Sequence, residues 1–222
     1  MVTKDMYAGG IGLREAPAPG EHDRVGSRLI ELACPLYGHF DLGTGYHGDV
    51  WLDLDRLFLR PALLRPHVRV LADRLREHRV DAVCGPMEGG AFLACALADL
   101  LGVAFLPAYR APASAAGAES GYRLAWAGVA GEEIGGWRVA VADDAVNAGT
   151  AVRACAGQLR KHGAVPVAVA ALMAVGPANQ IMAAALSVPF YSVDAVQSRA
   201  WLPADCPLCA DGVPLTDSSA QG

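Results

Sequence analysis

"VAVADDAVNAGTAV", Val139 to Val152, runs an apolar segment straight into two adjacent carboxylates, Asp143 and Asp144, and then into a loop of small residues closing on Gly149 and Thr150. A continuous Val/Ala segment of this length reads as a strand covered on both faces, with the acids at its carboxyl end. The loop Ala145, Val146, Asn147, Ala148, Gly149, Thr150 offers successive backbone N–H groups, a glycine that lets a ligand approach, a hydroxyl, and the start of the next helix. Those are the parts of a phosphate cradle. It is not the nucleoside-triphosphate loop, because GxxxxGK[ST] is absent and no lysine is placed to reach a second phosphate. Two carboxylates one step upstream suit sugar hydroxyls better than phosphate. A phosphorylated ribose, diol on the acids and phosphate in the loop, satisfies both halves.

Working outward, the same rhythm repeats. "VDAVCG" (80–85), "VAFLPAY" (103–109), "WRVAVADD" (137–144), "VPVAVAALMAV" (165–175) and "PFYSVD" (189–194) read as strands. Helical patterns over Gly90–Leu101 and Thr150–His162, and another after residue 175, separate them. Buried strands alternating with helices predict an α/β domain whose central, mostly parallel sheet is covered on both faces, and ligands of such sheets bind at the carboxyl ends of the strands. Upstream, Glu21–Leu36 and Arg60–His78 read as helices around a strand pair that includes the alternating "HGDVWLDLD". We expect a single domain over 1–222, with a flexible N-terminus over about 1–20, and about 21–60 plus the tail 196–222 forming a small hood element.

Composition narrows the function class. With 53% apolar and 18% charged residues among 222, the chain is built for a packed core rather than disorder. The longest apolar stretch, Ala164–Val175, contains Pro166 and is too short for a membrane helix, which needs about 20 residues. The N-terminal segment lacks a continuous hydrophobic region, so the expected location is cytoplasmic. Lys and Arg number 18 against 23 Asp and Glu, for a net charge of −5 with no basic run, which argues against nucleic-acid binding. Of six cysteines, Cys34, Cys84, Cys95 and Cys155 fall in apolar segments and read as core. Cys206 and Cys209, in "CPLC", have metal-ligand spacing, but one such pair with no second Cys pair or nearby His pair reads as a tail packing motif rather than a zinc site.

"DDAVNAGTA", with its preceding strand, resembles the phosphoribosyl-pyrophosphate motif of the type I phosphoribosyltransferases, most of all its orotate phosphoribosyltransferase version. "LGTGYHGDVWLDLD" (42–55) resembles the base-side segment of that family, and "CGPMEGGAFLACALADLLG" (84–102) its pyrophosphate loop and helix. The resemblance spans roughly residues 28–195 and implies a pentosyltransferase of nucleotide metabolism, moving ribose 5-phosphate from phosphoribosyl pyrophosphate to a nitrogenous base with Mg²⁺. It further implies that Asp143 and Asp144 are catalytic, holding the ribose diol and, mostly through substrate or water, the metal. Ala145–Thr150 would hold the 5-phosphate; Pro86, Met87, Glu88, Gly89, Gly90 and Arg110 would meet the pyrophosphate; Tyr46 and His47 would lie beside the base. A homodimer is implied too, since the family completes its site with a loop from the neighbouring subunit.

Four departures from the orotate pattern bear on the acceptor. Gly43 and Glu88 stand where the family has lysines, "VGPAN" (175–179) lacks the arginine expected to face an orotate carboxylate, and 111–136 contains Arg123 as its one basic residue. Each lost charge-assisted contact is worth on the order of 1.5–3 kcal/mol. Orotate is therefore expected to be a poor acceptor. The same losses leave open a regulator that binds phosphoribosyl pyrophosphate without turnover, and a sugar-phosphate hydrolase or lyase.

Overall fold

A computed structural model of the chain describes residues 29–42, 45–87, 89–110, 121–124, 134–176, 182 and 185–216. The elements run α1 (Leu29–Leu32), β1 (Leu36–Asp41), β2 (His47–Trp51), α2 (Asp55–Phe58), α3 (Pro61–Arg76), β3 (Ala82–Pro86), α4 (Gly89–Leu101) and β4 (Ala104–Arg110). There follow β5 (Tyr122–Leu124), β6 (Arg138–Val146), α5 (Thr150–Lys161), β7 (Val165–Val175), β8 (Phe190–Val196), β9 (Ala200–Trp201) and α6 (Pro207–Ala210).

Six strands form the central sheet in the order β5-β4-β3-β6-β7-β8, all parallel except β5, which pairs antiparallel with β4 at the edge. Alternation along β6 divides the core in two. Ala140 and Ala142 face Leu71, Leu75, Leu93 and Leu97 of α3 and α4, while Val139 and Val141 face Val152, Cys155 and Leu159 of α5. Helices thus cover both faces, as the unbroken apolar strands require. Small residues dominate β6 and β7, so the α3/α4 and α5 layers supply most of the leucine bulk. Leu64, Val68, Leu71 and Leu75 recur at helical spacing on the buried side of α3.

A second, three-stranded antiparallel sheet, β1-β2-β9, forms the hood and joins chain regions more than 150 residues apart. Its β1 was not legible where a helix was expected to run on to Leu36. The described helix ends at Leu32, because Pro35 disfavours helical backbone at the residue before it and Cys34 takes a left-handed φ of 45°. The part of that expected helix before Leu29, and the expected flexible N-terminus, lie outside the described residues. Two of the four cysteines read as core are buried, Cys84 and Cys155; Cys34 and Cys95 are exposed, whereas Cys206 in the tail is buried. Among the described residues no helix is long and apolar enough to cross a membrane.

Candidate active site

Parallel pairing brings three strand ends to one edge. β3 ends at Pro86, in register with Ala108 of β4, while Cys84 of β3 pairs with Val141 of β6, two residues before the first acid. Asp143 and Asp144, sixth and seventh of the nine residues of β6, fall inside the strand rather than beyond it, since the ladder with β7 continues to Val146 opposite Ala174. That continuation holds both side chains rigidly; a strand interior is a more exact mount than a loop.

The acids meet the Pro86–Gly90 turn directly. A Cβ built on Gly90 would lie 2.5 Å from Asp143 Oδ1 and 2.7 Å from Pro86 Cδ. One built on Gly89 would lie 2.5 Å from Asp144 Cγ and nearer still to its Oδ2. Gly89 and Gly90 are therefore glycine because the first turn of α4 is pressed against the carboxylates, and the partial positive end of that helix faces them. The backbone also contributes: Asp144 N–H donates to Asp143 Oδ1 (3.1 Å) and Ala145 N–H to Asp144 Oδ1 (2.8 Å). Burial raises Asp143 well above the ordinary carboxylate range, with the neighbouring Asp144 charge the next cause. Burial likewise raises Asp144, against the lowering effect of its backbone hydrogen bond from Ala145. Two acids confined this way titrate as a pair.

Beyond Val146 the chain makes the expected tight loop. Gly149 takes φ +66° as the N-cap of α5, and a Cβ there would collide with the Met182 side chain that packs against it, so both the conformation and the space require glycine. Gly176, at the end of β7, has φ +58°, with Asn147 Oδ1 4.0 Å and the Ser198 carbonyl oxygen 2.8 Å from its Cβ position. Ser198 Oγ in turn donates to Asp49 Oδ1 of β2 at 3.4 Å. The hood is therefore tied to the sheet next to the loop. On the other side Met87 N–H donates to Ala108 O (2.8 Å), and Arg110, exposed at the end of β4, lies 6.0 Å over the Tyr122 ring.

Asp143, Asp144, the loop 145–150, and Pro86, Met87, Gly89 and Gly90 thus gather at one edge of the sheet, flanked by Arg110. Glu88 lies outside the described residues, as do Gly43, 177–180 and most of 111–136. The two base-side candidates part company. Tyr46 is exposed, but His47 Nδ1 lies 3.0 Å from His39 Nε2 and 3.3 Å from Cys209 Sγ inside the hood. His39 and the burial of Cys206 were missed in the sequence because the residues that meet are some 160 positions apart. A groove of about 700 Å³ lined by Val70, Arg74, Val188, Phe190 and Tyr191 opens at the amino end of β8. It lies at the wrong end of the strands for a sheet ligand.

An acid pair and a glycine-opened anion loop at the carboxyl edge of such a sheet, under an antiparallel hood, define a type I phosphoribosyltransferase fold. Comparison with solved structures agrees: orotate phosphoribosyltransferase from Aeropyrum pernix superposes with a TM-score of 0.61 at 23% identity, covering 76% of this chain and 91% of that one. A scan of protein-family models finds no match. Among curated proteins, the orotate phosphoribosyltransferase of Carboxydothermus hydrogenoformans is 30% identical over 197 residues, 87% of this chain and 95% of that one. That of Caldanaerobacter subterraneus is 29% identical over 201 residues, 90% and 98% of the respective chains. The chain belongs to the orotate phosphoribosyltransferase family and is an enzyme of pentosyl transfer.

Proposed function

We propose that Asp143 and Asp144 hold the ribose diol of phosphoribosyl pyrophosphate, the loop Ala145–Thr150 its 5-phosphate, and the Pro86–Gly90 turn with Arg110 its pyrophosphate. The observation that supports this is the contact of both carboxylates with Gly89 and Gly90 at the amino end of α4, on the strand edge from which the loop to Gly149 and α5 departs. Transfer breaks the bond between the anomeric carbon and pyrophosphate and forms one to a ring nitrogen, through a centre with oxocarbenium character. The rigid β6 carboxylates face the sugar where positive charge develops, which favours the transition state over the ground state. Burial and mutual charge make the pair a donor set suited to a hard cation, so Asp143 and Asp144 would hold Mg²⁺, mostly through substrate or water. When bound, Mg²⁺ supplies neutralisation of the leaving pyrophosphate.

For the acceptor, the four departures at Gly43, Glu88, 175–179 and 111–136 favour a nitrogenous base other than orotate, with Tyr46 available beside it. Similarity to the enzymes along nearly their whole length favours catalysis over a binding-only regulator. We further propose a homodimer acting in the cytoplasm, which light scattering and fractionation test. Calorimetry with phosphoribosyl pyrophosphate and Mg²⁺, paired with pyrophosphate release over a panel of orotate, uracil, adenine, guanine and nicotinate, tests the function. Turnover highest on a base other than orotate is expected. If orotate has the highest kcat/KM of the panel, the acceptor assignment is wrong; tight binding with no turnover on any base supports the regulator.

A further inference from the structure

The "CPLC" tail meets two histidines of the hood in space. Along β1 the strand register with β2 slips between Tyr37 and Phe40, where one extra residue is accommodated, and the slip turns two consecutive side chains, His39 and Phe40, inward. His39 is 1% exposed. Its ring is aimed by Val213 of the tail: Nδ1 lies 2.7 Å from the Val213 carbonyl oxygen, so it is Nδ1 that carries the proton and Nε2 that offers a lone pair inward. Three other donors surround that lone pair. His47 Nδ1 is 3.0 Å away, Cys206 Sγ 3.4 Å and Cys209 Sγ 3.7 Å, with Cys209 Sγ 3.3 Å from His47 Nδ1. All four ligand atoms lie within 4.8 Å of one another.

A tetrahedral zinc with bonds of about 2.0–2.1 Å to nitrogen and 2.3 Å to sulfur requires ligand separations of about 3.3 Å for N···N, 3.6 Å for N···S and 3.8 Å for S···S. The N···N separation of 3.0 Å and the three N···S separations of 3.3, 3.4 and 3.7 Å match those edges of the polyhedron within about 0.3 Å, and all four atoms lie within 4.8 Å of one another. The donor chemistry agrees: two thiols and two imidazoles suit Zn²⁺ over the hard cations. The carbonyl behind His39 is the outer-shell acceptor that metal-bound histidines ordinarily have. Four protein ligands leave no open position, which makes the site structural rather than catalytic.

We propose that His39, His47, Cys206 and Cys209 form a tetrahedral structural zinc site that staples the C-terminal tail to the β1–β2 hairpin. The same tail also donates Thr216 N–H to His39 O (2.6 Å), and β9 pairs its Trp201 with His47, so the metal sits where three chain segments converge. His47 is then a metal ligand, and its neighbour Tyr46 remains on the outside as the base-side residue. The metal would thus fix the tail to β2, the strand whose Asp49 accepts from Ser198 Oγ beside the turn at Gly176.

The test uses the full chain, purified under reducing conditions without chelator and assayed for metal by plasma mass spectrometry, before and after incubation with ZnCl₂ and gel filtration. About one zinc per chain is expected. Replacing it with Co²⁺ should give the thiolate charge-transfer band and intense visible d–d bands of a tetrahedral site. Cys209→Ser and His47→Ala should each release metal to a chromogenic chelator at concentrations at least tenfold lower than the parent requires. Zinc below about a tenth per chain after reconstitution, a Co²⁺ spectrum without thiolate bands, or a Cys206–Cys209 disulfide seen as loss of two hydrogens with no metal would overturn the proposal. If the variants do not fold, the cobalt spectrum of the unmutated protein decides. No substrate enters these measurements, so zinc content and ribose transfer stand or fall separately.

Discussion

Replacing Gly89 by alanine should damage transfer while leaving the fold intact, and the structure gives the size of the effect. Gly89 opens α4 without a left-handed φ, so alanine's backbone preference is compatible with the site and its higher helix propensity favours it by up to about 1 kcal/mol. The added Cβ, however, would stand 2.5 Å from Asp144 Cγ, whereas ordinary contact begins at 3.4 Å. The Asp144 carboxylate must retreat by about 1 Å, and a misplacement of that size at a reacting centre costs roughly 100-fold in rate. We expect Gly89→Ala to unfold in urea within about 1 kcal/mol of the parent and to lose about two orders of magnitude in kcat/KM. Gly157→Ala, in mid-α5 with nothing within 4 Å of its Cβ position, is the control and should gain up to about 1 kcal/mol with unchanged kinetics. The assay is pyrophosphate release with the best base of the panel, alongside urea titration of each protein. Unchanged kcat/KM in Gly89→Ala would refute the role given to Asp144.

Three further outcomes can be measured with the same tools. Asp143→Asn should abolish transfer yet stabilise the empty protein at neutral pH by about 1 kcal/mol or more, since burial and Asp144 raise the Asp143 carboxyl. A raised folded-state value means the native protein binds more protons, so the parent loses stability as pH rises above about 4 and the variant should flatten that slope in pH-resolved urea titrations; a less stable variant at pH 7.5 contradicts this. Arg110→Gln should raise the KM for phosphoribosyl pyrophosphate by about tenfold or more, from loss of one charge-assisted hydrogen bond, and a KM within twofold of the parent removes Arg110 from the site. His67 is buried on α3 with no partner for Nδ1, and burial lowers its pKa despite the opposing charge of Asp194. Its stability contribution is complete above about 6.5 and lost as pH falls, so His67→Leu should gain about 1 kcal/mol at pH 7 and lessen acid sensitivity, an outcome that Tm against pH would show or exclude.

The sheet was legible because its strands carry their own evidence: β3 and β7 are apolar throughout, β6 is apolar from Val139 to Ala142 ahead of its acids, and Pro166, second in β7, lies where a proline does little harm to the ladder. The acid pair and its loop were legible for a related reason. Their chemistry lies in consecutive residues, and a strand followed by a helix admits few arrangements. The hood was not. β1 hides behind Pro35 and breaks its alternation at the Tyr37–Phe40 slip, so period-two reading fails just where His39 turns inward. The four-donor cluster shares that cause, for no local pattern links a histidine in a bulged hairpin to a pair of cysteines 160 residues on. A sequence reading that asks for a His pair beside "CPLC" finds none, because the pair is beside it only in space.

What remains to be explained is why two carboxylates are tolerated where burial works against both. A chain selected for stability alone would place asparagine or a hydrophobe at Asp143, which is 9% exposed and sits against a second acid. The fold offsets only part of that cost, through the N–H groups of Asp144 and Ala145 and the amino end of α4 brought close by Gly89 and Gly90. The uncompensated remainder is negative charge held in a fixed direction at a strand end. On the proposed reading, a substrate that arrives with a diol to donate hydrogen bonds and a cation in attendance would supply what the protein withholds, so binding would be strengthened by the same electrostatics that weaken the empty fold. Rigid mounting in β6 would then matter for rate, because groups already oriented need no rearrangement as charge develops on the sugar. The glycines at 89 and 90 belong to this arrangement: they set how close the helix comes, and so how much of the pair's repulsion is relieved before any ligand binds.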